Sequence, residues 1–132
     1  MEKDQERQLI YNAVECPDGT ILESFSRHDC KRHKGYLVDG GLDYQRIGTP
    51  NRHFPKNLAQ YLSNDHEHNR RWLHWGHYGP NGDEPLTYVP VEKLAIDHIE
   101  AILRTQPQLD QWRKDILVAE LKYRREPSWR PL

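Results

Sequence analysis

Pro17-Asp18-Gly19-Thr20 separates two apolar-rich runs, residues 9–16 and 21–25. Proline presets the backbone at the first central turn position, and glycine supplies the left-handed position after it. Proline also lacks a backbone donor, so strand pairing stops there. The two runs are therefore expected to pair as an antiparallel hairpin, the strongest local constraint on this fold. Residues 28–35 are polar and read as a loop. Tyr36-Leu37-Val38 restarts a strand, Gly40-Gly41 interrupts it, and residues 42–47 continue it. Adjacent glycines within a strand pattern signal a bulge or a close backbone approach. Residues 9–47 thus read as a three-stranded antiparallel meander.

Residues 48–55 read as a linker. Leu58, Tyr61 and Leu62 have helical spacing, and Asn64-x-x-Glu67 resembles a capping box opening a second helical stretch through Trp72 and Leu73. The helical segment is expected over about 56–74. Residues 76–85 hold Gly76, Gly79-Pro80, Asn81-Gly82 and Pro85, and predict loop throughout. Residues 86–91 predict a short strand. Asp97, with Glu100 three residues later, reads as a helix cap; Ile99, Ile102 and Leu103 form the apolar face, and Pro107 ends it. Leu109, Trp112, Ile116, Ala119 and Tyr123 recur every three or four residues, with Leu117 and Leu121 widening the stripe. That helix is expected to run to about Arg125 and stop before Pro127. The predicted class is α+β: a three- to four-stranded antiparallel meander covered by a C-terminal helical hairpin, in one domain over residues 1–132.

Such a fold needs a core, and this chain has few aliphatic residues to build one. Leu, Ile, Val and Phe make up only 28 of 132 residues, near the lower edge for folded chains. The net charge of −1 and the 13 aromatic rings oppose disorder. A core this small favours a homo-oligomer. No apolar run is long enough to span a membrane, and the first seven residues are nearly all charged or polar, unlike a signal peptide. A cytoplasmic location is expected. Cys16 and Cys30 are too few for a disulfide scaffold or a four-cysteine zinc site.

The charge is uneven along the chain. Residues 24–74 hold nine Lys or Arg against five acids, and six of the eight histidines. A basic, His-rich stretch attracts phosphate or an acidic surface. Three constellations could carry chemistry. Arg27-His28-Asp29, His33, Asp39 and Asp43 could converge on the meander loops, with His28 as general base, Asp29 or Asp39 assisting, Asp43 nearby, and Arg27 and Arg46 gripping phosphate. His66-x-His68 and His74-x-x-His77 place imidazoles at helical spacing, but no metalloprotease pattern is present, and neither a metal nor another cofactor is expected. Trp75, Tyr78, Asn81 and Asp83, interleaved with glycines, could form a stacking platform, with Tyr44 as a further ring. No Walker A, G-x-G-x-x-G, nucleophile elbow or helix-turn-helix pattern occurs, so sequence-specific reading of nucleic acid is not expected.

Residues 11–24 (YNAVECPDGTILES), His28-Asp29, residues 38–44 (VDGGLDY) and Arg46 resemble a family of uncharacterised small accessory proteins of tailed bacteriophages. The run Trp75-Gly76, Tyr78-Gly79, Asn81-Gly82-Asp83, Pro85-Leu86 and Tyr88 carries the same resemblance, as do His98-Ile99 and residues 120–124 (ELKYR). The family pattern has an aromatic in place of Cys30, a small polar residue in place of His77, and no histidine at 74. The resemblance implies a setting, not an activity. Small accessory phage proteins often act in host takeover or against host defence, which places the chain in an infected bacterial cell. The leading expectation is a protein that binds and sequesters a phosphate-bearing small molecule, such as a nucleotide immune signal. A phosphodiesterase using His28 with Asp29 or Asp39 is the first alternative. A protein-protein inhibitor of a host defence factor is the second. Binding ranks first because no complete catalytic motif appears.

Overall fold

A computed structural model describes residues 7–50, 52–79 and 81–125. The fold is α+β, with several small antiparallel sheets and C-terminal helices. The chain divides after Leu62 into two compact units. No helix among the described residues is long and apolar enough to cross a membrane.

Among its described residues the first unit holds eight short strands: β1 (Leu9–Tyr11), β2 (Ala13–Glu15), β3 (Ile21–Glu23), β4 (Lys31–His33), β5 (Tyr36–Asp39), β6 (Arg46–Gly48), β7 (Lys56–Asn57) and β8 (Gln60–Tyr61). They pair as β1-β8, β3-β2-β7 and β4-β5-β6. The expected hairpin at Pro17 forms, with Ala13 opposite Glu23 and Glu15 opposite Ile21. The Cys16 N–H donates to the Thr20 carbonyl at 2.8 Å to close the turn. Val14, Cys16, Leu22, Tyr36 and Val38 make a buried cluster, with Ile47 packed against it.

Two expectations in this unit are corrected. Residues 31–33, read as loop, are strand β4. Lys34 (φ 49°) and Gly35 (φ 88°) both take positive φ between the paired His33 and Tyr36. Two such residues make the tight turn whose twist matches a hairpin. Residues 56–62, read as helix, are β7 and β8. The Leu58 N–H donates to Ala13 O at 2.9 Å, and the Leu62 N–H to Gln8 O at 2.8 Å. Seven residues are too few to distinguish helical from extended spacing, and pairing with β1 and β2 decides. The meander is thus β4-β5-β6, later in the chain than expected.

The paired glycines are a close approach rather than a bulge. They open the turn between β5 and β6. A Cβ on Gly40 would stand 2.0 Å from the Tyr44 carbonyl oxygen, and one on Gly41 2.4 Å from the Ser26 backbone. The buried Asn12 side chain reaches this turn. Its Nδ2 donates to the carbonyls of Asp39 (3.0 Å), Gly41 (2.9 Å) and Tyr44 (3.2 Å). Ser24 Oγ accepts the Gly41 N–H at 2.9 Å.

The second unit holds α1 (His66–Trp72), β9 (His74–His77), β10 (Thr87–Pro90), a 3-10 turn (Val91–Lys93), α2 (Ile96–Thr105) and α3 (Gln111–Arg125). Strands β9 and β10 pair antiparallel, Trp75 opposite Val89 and His77 opposite Thr87. Helices α2 and α3 pack together as the expected helical hairpin. Leu73, Val91, Leu94, Ile99, Ile102, Ile116, Leu117 and Leu121 are buried. A fully buried aliphatic side chain contributes about 1.5–3 kcal/mol.

Here too local signals were displaced. The cap of α1 is Asp65, which accepts the Glu67 N–H, not Asn64. The cap of α2 is Ala95, with Asp97 in the first turn. Helix α1 stops at Trp72, so His74 and His77 do not share a helical face with His66; they lie on β9. Gly76 and His77, read as loop, are strand, because β10 supplies the missing ladder. Pro107 falls between α2 and α3 and opens neither. Pro127 and Pro80 lie outside the described residues.

Candidate functional site

The first constellation forms separate contacts rather than one centre. Arg46 grips Asp39 across the β5–β6 register, Nη2 to Oδ2 at 2.5 Å and Nε to Oδ2 at 3.0 Å. The Asp39 side chain is only 10% exposed, and the guanidinium holds its carboxyl below the usual range. Asp29 accepts the Phe25 N–H on its carboxylate at 3.0 Å and the Ser24 hydroxyl on its carbonyl at 2.6 Å. It closes its own loop. Arg27 stands 3.8 Å from Asp43, both exposed. His33 Nε2 lies 2.8 Å from Asp18, and that contact, with the Thr20 N–H, takes the Asp18 carboxyl well below its ordinary range. His28 is exposed, and among the described residues no hydrogen bond joins it to Asp29, Asp39 or Asp43. Tyr44 is exposed on the turn beside Gly40.

The histidine pairs separate as well. His66 Nε2 donates to Glu120 at 2.9 Å, and His74 Nδ1 lies 2.8 Å from the Trp72 carbonyl. Among the described residues no group of three His, Cys, Asp or Glu is placed to hold a metal ion. Cys16 is buried and Cys30 exposed, both as free thiols.

His66 leads to a network that the sequence reading missed. Glu120 is completely buried on α3. Arg70 donates to both its oxygens, Nε at 2.8 Å and Nη2 at 2.9 Å, and Arg124 Nε donates at 2.6 Å. Arg124 also donates to the carbonyls of Leu94 (2.6 Å), Val91 (3.0 Å) and Glu92 (3.2 Å). Arg70 reaches Glu92 at 3.2 Å and stacks over Tyr123 at 4.4 Å. Burial pushes the Glu120 carboxyl up, but the bonds from His66, Arg70 and Arg124 outweigh it and bring it down to about 2. Every oxygen is spoken for, so the network ties α1, the 3-10 turn and α3 together. The spacing of Glu120 and Arg124 was its only local signal.

The second unit also carries an open cleft of about 900 Å³. Its floor is one face of the β9–β10 hairpin, with Trp75, His77 and Val89. Its wall is the face of α2 that presents Asp97 and His98, then Ala101 and Thr105 on the successive turns. Lys93 enters from the 3-10 turn, and Tyr78, Gly79 and Gly82 form the rim. Of the expected ring-and-glycine set, Trp75 and Tyr78 line this cleft. Asn81 and Asp83 stand exposed on the turn that Gly82 contributes.

His77 is fixed in this cleft. The Gly79 N–H donates to its Nδ1 at 3.1 Å, and its Nε2 lies 3.1 Å from the Thr87 hydroxyl. The ring meets His98 edge to face at 6.4 Å between centroids. Lys93 and His98, which also line the cleft, were not among the residues expected to form a site. His98 shares the small and polar side of α2 with Ala101 and Thr105, whereas Lys93, on the preceding 3-10 turn, left no such signal. The cleft combines an aromatic surface, close backbone access and a few polar groups, the composition of a small-molecule site. No protein family, curated protein or solved structure matches the chain.

Proposed function

We propose that the protein binds and sequesters a small phosphate-bearing molecule with a flat ring, seated in the cleft between the β9–β10 hairpin and α2. The observation that carries this reading is the cleft of about 900 Å³ bearing Trp75, Tyr78 and Lys93 together. Small-molecule sites have volumes of roughly 300–1,000 Å³ and a mostly apolar lining with a few polar groups. Ring stacking on Trp contributes about 1–3 kcal/mol per base. Binding is favoured over turnover because Asp29 and Asp39 spend their carboxylates on the Phe25 amide and Arg46, leaving His28 without a carboxylate partner. The setting, removal of a nucleotide signal of host immunity by a phage accessory protein, rests on the sequence resemblance.

Incubation with linear and cyclic nucleotides, followed by chromatography of free and heat-released ligand, tests the proposal. Depletion with intact recovery on heating is expected, and Trp75→Ala should abolish it. New products would mean an enzyme, with His28→Ala as the next variant. No depletion by any nucleotide would move the search to a host protein.

A further inference from the structure

We propose that the ligand is a linear dinucleotide rather than a mononucleotide, with one ring on Trp75 and a terminal phosphate on Arg113. This rests on the binding reading above and deepens it to a size class. A second hollow, of about 520 Å³, lies between the end of α2 and the start of α3, lined by residues 105–110 and Arg113. Thr105 and Gln106 line both this hollow and the cleft, so the two adjoin across the exposed end of α2.

Arg113 is placed for a ligand. Its side chain is only 29% exposed and lies over the Trp112 ring, 4.9 Å from the ring centroid. Among the described residues its guanidinium makes no hydrogen bond, and the Asp110 carboxylate stands 3.9 Å away, too far for one. The guanidiniums of Arg46, Arg70 and Arg124 are spent on Asp39 and Glu120. Arg113 instead lines a hollow with its donors unused. A guanidinium fork meets phosphate through two parallel bonds.

Length sets the size class. The His77 ring meets His98, in the first turn of α2, at 6.4 Å between centroids. That contact ties the strand face of Trp75 and His77 to the start of the helix. Gln106 follows His98 by eight residues, roughly 12 Å along a helix axis, and Arg113 belongs to the hollow beyond. A mononucleotide carries its phosphate one sugar away from its ring and falls short of Arg113. A second nucleotide supplies the missing length by crossing Thr105 and Gln106. Asp110 also lines the second hollow and opposes an anion there. Its side chain is 60% exposed, so its contact with Arg113 yields to a phosphate at little cost.

Calorimetry with three probes tests the size class. AMP has the phosphate without the length, ApA has the length without a terminal phosphate, and pApA has both. pApA should bind about ten-fold tighter than ApA or AMP, or more, the return of a charged hydrogen bond. Arg113→Gln should bring pApA down to the level of ApA and leave ApA and AMP unchanged, which also shows that the variant is folded. Asp110→Asn keeps a residue type that starts helices equally well. It should tighten pApA by up to about five-fold and leave AMP alone. Trp75→Ala should weaken all three. An advantage of pApA that is missing, or that survives Arg113→Gln, overturns the dinucleotide inference alone, provided AMP or ApA binds in a Trp75-dependent way. So does weaker pApA binding by Asp110→Asn. If none of the three probes binds, the cleft reading itself falls.

Discussion

The two units are each organised around a fully buried polar side chain, Asn12 in the first and Glu120 in the second. Asn12 is neutral. Its amide gathers three carbonyls at and around the turn after β5, and among the described residues its Oδ1 has no partner. Glu120 is charged, and both its oxygens are occupied by cations. Both devices answer the same shortage: a chain with few aliphatic residues must join its elements by directed bonds as well as by packing. They differ in what they cost when disturbed. A neutral hub loses hydrogen bonds worth about 1 kcal/mol each. An ionic hub leaves buried charge uncompensated, which costs about 3–5 kcal/mol.

Glu120→Gln is the sharpest way to break that comparison. The amide keeps the shape but leaves the Arg70 and Arg124 guanidiniums facing a neutral group. A loss of about 3–5 kcal/mol is expected in urea titration followed by tryptophan fluorescence. All four tryptophans lie after residue 62, so the signal reports the unit that carries the change. A loss below about 1 kcal/mol would mean that water already screens the network.

Acid should act on the same hub. The Glu120 carboxyl lies at about 2 in the folded protein, below the unfolded value of about 4.3. A depressed folded value contributes stability that is complete above the unfolded value and is lost as pH falls through the folded one. The contribution, on the order of 3 kcal/mol, should fade between about pH 5 and pH 2. Tryptophan-detected stability measured across that range should show the decline, and Glu120→Gln should remove this component. If both proteins lose the same amount, other carboxylates govern acid unfolding.

Asn12→Leu probes the neutral hub. It deletes three donated bonds but also removes the orphaned Oδ1, so the losses are partly offset. About 2 kcal/mol is expected, with no change between pH 5 and 2 relative to wild type. Circular dichroism in urea reads it. A loss as large as that of Glu120→Gln would erase the distinction between the hubs.

What was legible in the sequence follows the range of the forces involved. Pro17 and Gly19 act within four residues, and their hairpin was readable. The apolar repeat of α2 and α3 spans several turns, and it too was readable, although the buried side of α3 centres on Glu120 among Ile116, Leu117 and Leu121. Strands β7 and β8 were not readable, because their hydrogen bonds go to residues more than forty positions earlier. The same holds for the site. Trp75 and Tyr78 stand out in the sequence beside their glycines, whereas Lys93 and His98 come to line the cleft only when the β9–β10 hairpin is laid against α2. The Glu120 network joins residues about fifty positions apart and leaves almost no local trace.

Strand β4 is an intermediate case, and it carries the smallest prediction. Its turn, Lys34-Gly35, needs positive φ at both positions, but only the glycine shows it in the sequence. Lysine at φ 49° is strained by contact between its Cβ and the following carbonyl, a cost of about 1–2 kcal/mol that asparagine bears more easily. Lys34→Asn would create the preferred pair for such a turn. It would also remove the 3.5 Å contact of Lys34 with Asp18, an exposed pair of the kind that contributes little and is screened by salt. Asp18 retains His33. The variant should therefore gain about 0.5–1 kcal/mol, and the gain should be larger in 1 M salt, where the lost attraction no longer counts. Thermal unfolding at low and high salt measures both parts. A destabilised variant at high salt would mean that the lysine stem packs on the strand, so that side-chain contact rather than backbone strain sets the balance at this turn.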